Sequence, residues 1–91
     1  MNQEVLSKAM KALRALYDAG KSDRKHLAKS VKNKEELRGV LSRRFRSHIG
    51  QVVEKSGLQT LEEKQQLNMA LLREFSAEAR GEDQEVLALV S

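Results

Sequence analysis

Apolar residues recur every three or four positions along most of this chain, with charged residues in the opposite phase, so nearly its whole length reads as amphipathic helix. The first helix is predicted from about Asn2 to Ala19. Leu6, Ala9, Met10, Leu13, Leu16 and Tyr17 share one side of it, and Lys8, Lys11, Arg14 and Asp18 lie opposite. Gly20 suits the position just past its end. Ser22 or Asp23 then caps a short second helix to about Val31, held by Leu27 and Val31 at i, i+4. The alternative is one long bent helix, because Leu13, Leu16, Tyr17, Gly20 and Leu27 keep a common phase; the break is preferred.

Asn33 with Glu36 reads as a capping-box variant that opens a long third helix to about Lys55. Its core stripe is Leu37, Val40, Leu41, Phe45, Ile49 and Val52, and Ser56-Gly57 ends it. Thr60 with Glu63 is a full capping box for a fourth helix, with Leu61, Leu67, Leu71, Leu72 and Phe75 inward. That helix is expected to run to about Arg80 and to close at Gly81. Asp83 would then cap a last amphipathic turn from Val86 to Val90. Each helix is apolar on one side only, so the predicted fold is all-α, an antiparallel three- to four-helix bundle with short loops. The length, 91 residues, makes it a single domain, residues 1–91.

Composition sharpens this picture. Proline is absent, and helix formers dominate. With no cysteine, disulfides, thiolate zinc sites and cysteine nucleophiles are excluded, which fits a reducing intracellular compartment. No apolar run approaches the ~18 residues of a membrane span, and Lys8, Lys11 and Arg14 interrupt what would have to be a secretory signal. Two Phe, one Tyr and no Trp leave few rings for stacking single-stranded bases.

Charge is unevenly spread. Residues 21–46 hold ten of the seventeen basic residues against three acids, net +7, whereas residues 57–91 hold three basic and seven acidic, net −4. An electropositive surface of this kind is built to meet something anionic. Its candidate residues are Arg24, Lys25, Lys29 and Lys32 on the second helix with Arg38, Arg43 and Arg46 on the third. Gly39, Arg43, Arg46 and Gly50 share the side of the third helix away from its core stripe. Two glycines in mid-helix cost about 1 kcal/mol each, so they read either as a bare strip for close approach of a partner or as drift on a solvated face. Arg44 and His48 sit one turn apart at the edge of the apolar stripe. There they must snorkel, contact a ligand or pair with an acid, for which Glu62, Glu63 or Glu74 is available. A boundary arginine covering the core edge is the preferred reading.

No chemistry-bearing motif emerges. His26 and His48 are lone residues without the paired spacing of a helix-borne metal site, so neither metal nor cofactor is expected. Glu35-Glu36 and Glu62-Glu63 lie at helix starts, where the helix dipole accounts for them. There is no phosphate loop and no nucleophile motif, and an enzyme is not expected.

Ala15-Leu16-Tyr17 followed by Arg43-Arg44-Phe45-Arg46 resembles the LYR-motif family, small basic helical bundles found mainly in mitochondria as subunits or assembly factors of larger complexes. In that family a Leu-Tyr-Arg near the N-terminus precedes a Phe-Arg pair by just under thirty residues; here Leu16 precedes Phe45 by 29 positions. The resemblance implies binding of acyl carrier protein, an acidic partner, and carries Tyr17, Phe45 and Arg46 over as matching positions. It departs at Asp18, which stands where the motif's arginine belongs, and at Gly20 to Asp23, which interrupts what should be continuous helix.

The expected function is therefore a non-catalytic binding module docking through its helix two–three basic face, with Arg38, Arg43, Arg44, Phe45, Arg46 and His48 at the contact. The partner is an acidic protein or multisubunit complex. The alternative is a nucleic-acid-binding protein that uses the same face on phosphates; the helix-turn-helix pattern is poor, so base reading is not expected. Apolar surface along Val86, Leu87, Leu89 and Val90 would meet a partner or a second copy in a homodimer. The resemblance implies the mitochondrial matrix; without it the cytoplasm is expected.

Overall fold

The computed structural model describes residues 2–90, and among them the chain is helical apart from short connections, with no strand. Four helices follow in order: α1 Gln3–Ala19, α2 Lys21–Ser30, α3 Lys34–Glu54 and α4 Leu61–Leu87. Contacts fix their directions. Arg14 meets Glu78, Tyr17 meets Asp83 and Arg24 meets Glu82, so α1 and α2 run the same way as α4. Asp23 meets Arg44 and Tyr17 meets Phe45 while Ala9 and Val52 line one groove, so α3 runs back between them. The result is an up-down-up bundle whose first rod is broken at Gly20, 44 Å long and 19 × 18 Å across. The 27 residues of α4 alone account for about 40 Å of that length.

Local sequence explains the helix starts. Asn2 Oδ1 accepts from the Glu4 amide at 2.8 Å, and Asn33 Oδ1 from the Glu36 amide at 2.8 Å. The Glu36 carboxylate reaches back one residue further than a capping box requires, to the Lys32 amide at 3.2 Å. Thr60 and Glu63 form the full reciprocal box. At the end of α3 the Ser56 hydroxyl donates to the Val53 carbonyl, and Gly57 takes a left-handed φ of 83° that a side chain rarely adopts.

The preferred break is present: α1 ends at Ala19 with Gly20 as its C-cap. The Gly20 amide donates to Leu16 and Tyr17, its carbonyl accepts from Arg24 at 2.9 Å, and α2 starts at the next residue. Neither Ser22 nor Asp23 caps α2; Gly20 holds that position without a side-chain bond.

Three further expectations need correction. Leu61 is 72% exposed, because it is the first residue of α4, where the chain has only begun to enter the bundle. Gly81 does not close α4 and Asp83 caps nothing: the helix runs through both to Leu87. Glu82 and Asp83 are held by Arg24 and Tyr17, and these tertiary bonds offset the ~1 kcal/mol that a mid-helix glycine costs. Finally, Val86, Leu87 and Val90 are not leftover surface. They are buried with Ala28, Leu37 and Leu41 in a second core cluster that closes the α2 end of the bundle. Ala88 and Leu89 of that turn stay out, Leu89 at 52% exposure, so most of the apolar turn expected to form a homodimer contact is spent inside the chain. The main cluster fills the rest of the bundle, with Leu13, Tyr17, Ile49, Leu67, Leu71 and Phe75 among its members.

Candidate functional site

The centre of the molecule is a polar knot built around the bend. All three aromatic rings of the chain meet there. Tyr17 packs edge-on to Phe45 and Phe75, at 6.2 and 5.6 Å between centroids, and the two Phe rings stack at 6.0 Å. The Tyr17 hydroxyl donates to Asp83, with the Ala79 carbonyl 3.2 Å away. Burial first, and then the bond to the Asp83 carboxylate, push the Tyr17 phenol far above its ordinary range, so it stays a neutral donor.

Arg24 completes the knot, and its place corrects the sequence reading. It is 3% exposed, not part of a surface patch. Its guanidinium stands over the Tyr17 ring, 3.8 Å from Cζ to the centroid, donates to the Tyr17 carbonyl at 2.6 Å and pairs with Glu82 at 3.3 Å. A carbonyl, a carboxylate and an aromatic face together offset the cost of burying this charge, while its Nε is left without a hydrogen-bond partner. Its phase gave a signal for this: Tyr17, Gly20, Arg24 and Ala28 follow at spacings of three and four along one helical face.

Arg44 and His48 face the same bend from α3. Arg44 pairs with Asp23 of α2, not with an acid of the fourth helix, because that flank of α3 is turned to α2. His48 is half-buried and its Nδ1 has no hydrogen-bond partner. Burial first, and then the Arg24 and Arg44 charges, hold its imidazole below the ordinary pKa. Both residues line the seam between α2 and α3, where the Arg44 side chain stays 42% exposed while paired.

The remaining basic residues are exposed but fall on two flanks. On α2, Asp23 faces α3; Lys21 and Lys25, two residues to either side, stand about 200° round the helix from it. With Lys29 they make a lysine flank turned away from α3, whereas Lys32 lies past the end of α2, its amide bonded to Glu36 of α3. Arg38 and Arg46 of α3 lean the other way, towards α4, and Arg43, five residues and so about 140° round the helix from Arg38, points outward. Arg38 and Phe45 line a groove with Ala79, Arg80 and Leu87 of α4, and Arg46 and Gly50 line a second one with Leu61 and Leu72. The expected single basic face across helices two and three is thus divided, with the Asp23–Arg44 pair in the seam.

Among the described residues, Arg38, Arg43, Arg46 and Arg80 form no ion pair, nor do the flank lysines. Arg46 is steadied by the Ser42 hydroxyl at 3.0 Å. Arg43 folds back so that its Nη1 lies 3.6 Å from where a Gly39 Cβ would be, which leaves that glycine half-covered; Gly50 has open space above it. Arg80 belongs to this site and was missed by sequence reading, because it lies in the acidic half and next to a glycine expected to end its helix. No protein-family model, curated protein or solved structure matches the chain.

Proposed function

We propose that this protein is a non-catalytic binding module that docks onto an acidic protein, or an acidic subunit of a larger complex, through the arginine flank of α3 and α4. One observation carries the reading: Arg38, Arg43, Arg46 and Arg80 stand exposed without an acidic partner, while Arg14, Arg24 and Arg44 are each matched by an acid within the chain. Arginine's planar fork suits paired carboxylate recognition, so three unmatched guanidinium groups lining the α3–α4 grooves, with Arg43 on the outer side of α3, favour a carboxylate-rich surface. The LYR-like layout supports the same class of partner and would make it acyl carrier protein, with Arg46 at the contact.

Nucleic-acid backbone is the second reading, and a separate observation favours it. Lys21, Lys25 and Lys29 repeat at i, i+4 on α2, exposed and unpaired, a row of charges fitted to successive phosphates.

The test is a native pull-down with and without nuclease, comparing the natural chain with two variants. One carries Arg38→Glu, Arg43→Glu and Arg46→Glu; the other carries Lys21→Glu, Lys25→Glu and Lys29→Glu. An acidic protein retained after nuclease, lost in the arginine variant and kept in the lysine variant is the expected result. Material that vanishes with nuclease and in the lysine variant overturns it in favour of phosphate binding.

A further inference from the structure

The groove that Arg38 and Arg80 share is more than a pair of charges. It encloses about 490 Å³, within the size range of a real binding cleft. Its apolar wall comes from Leu41 and Phe45 of α3 and Ala79 and Leu87 of α4. These side chains are fixed: Leu41 and Leu87 belong to the second core cluster, and Phe45 is clamped by Tyr17 and Phe75. Arg38 projects from α3 and Arg80 from α4, so the two charges stand on opposite banks of one apolar trough. The one carboxylate in the lining, Asp83, is already bonded to the Tyr17 hydroxyl.

We infer that this groove receives a single large apolar side chain from an acidic amphipathic helix of the partner, with carboxylates a turn to either side reaching Arg38 and Arg80. The inference rests on the adaptor reading above and specifies where its anchor sits. Two features select this occupant. Charge complementarity disfavours a basic helix, because two unpaired guanidinium groups line the groove against one carboxylate, Asp83. A preformed apolar trough at the centre with charges at its edge is also the layout in which one buried anchor dominates binding and rim pairs set register. On a helix, positions four residues before and after an anchor lie on its own face, about 6 Å away along the axis, and this places the two acids over opposite banks. An extended polyanion has no side chain to offer the trough.

The probe is a fluorescein-labelled 16-residue helical peptide with one central leucine and glutamates four residues to each side. Anisotropy titration and amide NMR shifts are read on the full chain. Expected are saturable binding, shifts centred on Arg38, Ser42, Arg80 and Gln84, and weakening of about tenfold or more on leucine-to-alanine change in the peptide. Ser42→Trp, which fills the groove from the exposed position beside Arg38, is expected to weaken binding equally, with circular dichroism confirming an intact fold. Arg38→Glu with Arg80→Glu is expected to abolish it.

If the peptide binds but neither the leucine nor Ser42→Trp matters, the arginines act by charge alone. The groove inference then fails while the adaptor reading stands. If the acidic peptide does not bind at low salt and an oligonucleotide shifts Lys21, Lys25 and Lys29 instead, both fail together.

Discussion

The Arg24 guanidinium carbon stands 3.8 Å from the centroid of the Tyr17 ring, while one of its nitrogens donates to the Tyr17 carbonyl oxygen. A single side chain thus covers the bend between α1 and α2 and ties it to α4 through Glu82. Removing it leaves a carbonyl and a carboxylate without their partner and opens a space over the ring. Arg24→Ala is expected to cost about 3 kcal/mol, the scale for breaking a buried charge pair from one side. Lys25→Ala, next to it but exposed, is expected to stay within about 0.5 kcal/mol. Urea unfolding of the two variants side by side measures the difference; equal midpoints would return Arg24 to the surface.

His48 gives the fold a pH dependence of known sign. Its folded pKa lies below the unfolded value of 6.5, first through burial and then through Arg24 and Arg44. The unfolded chain therefore takes up the proton first as pH falls. Stability is fully present above the unfolded pKa and is lost as pH drops towards the folded one. The urea midpoint of the natural chain is expected to fall between about pH 7.5 and pH 5.5, and by less in His48→Gln, which carries no titrating ring. An equal fall in both would assign the effect to other groups.

Two glycines in helical surroundings are expected to respond in opposite directions to alanine. A Cβ on Gly81 meets nothing within 4 Å, and the helix passes through it, so Gly81→Ala is expected to stabilise by about 1 kcal/mol. A Cβ on Gly20 would stand 3.2 Å from Nη1 of Arg24. That guanidinium is pinned by the Tyr17 carbonyl and Glu82 and cannot swing aside without losing them. Gly20→Ala is expected to destabilise by about 1–2 kcal/mol, the usual scale of overpacking. Thermal melts of the pair check both signs.

Periodicity and capping made most of the architecture legible. Thr60 with Glu63 and Asn33 with Glu36 mark the starts of the two long helices at the residues where their caps form. The stripes through Leu13 and Tyr17, Leu37 and Ile49, and Leu67 and Phe75 are buried as their phase requires. What stayed hidden depends on contacts between distant segments. Gly81 signals a helix end locally, but Tyr17 and Arg24, some sixty residues earlier, bind the two acids that follow it. Arg24 looks like one more charge in a basic run until Glu82 is placed beside it. The division of basic residues into two flanks follows from the pairing of Asp23 with Arg44, which sets how α2 is rotated against α3. No reading of either helix alone contains that rotation.

The C-terminal turn tests how the second core cluster is built. Val86 and Leu87 are 3% and 6% exposed against Leu37 and Leu41, while Leu89, two residues on, is 52% exposed. If this turn were a contact for a second copy, a charge at either kind of position would dissociate a dimer and leave a folded monomer. As part of the core it behaves differently. Leu87→Ala is expected to cost about 2–4 kcal/mol, and Val86→Asp to unfold the α2 end outright, since an uncompensated carboxylate cannot be buried there. Leu89→Asp is expected to leave the urea midpoint within about 0.5 kcal/mol of the natural chain. Amide exchange locates the damage: Val86→Asp should remove protection from residues around Ala28, Leu37 and Leu41 while those around Leu13 and Leu71, in the main cluster, keep it. A Val86→Asp chain that stays folded and merely halves its mass in solution would show that the turn joins two molecules instead of closing one.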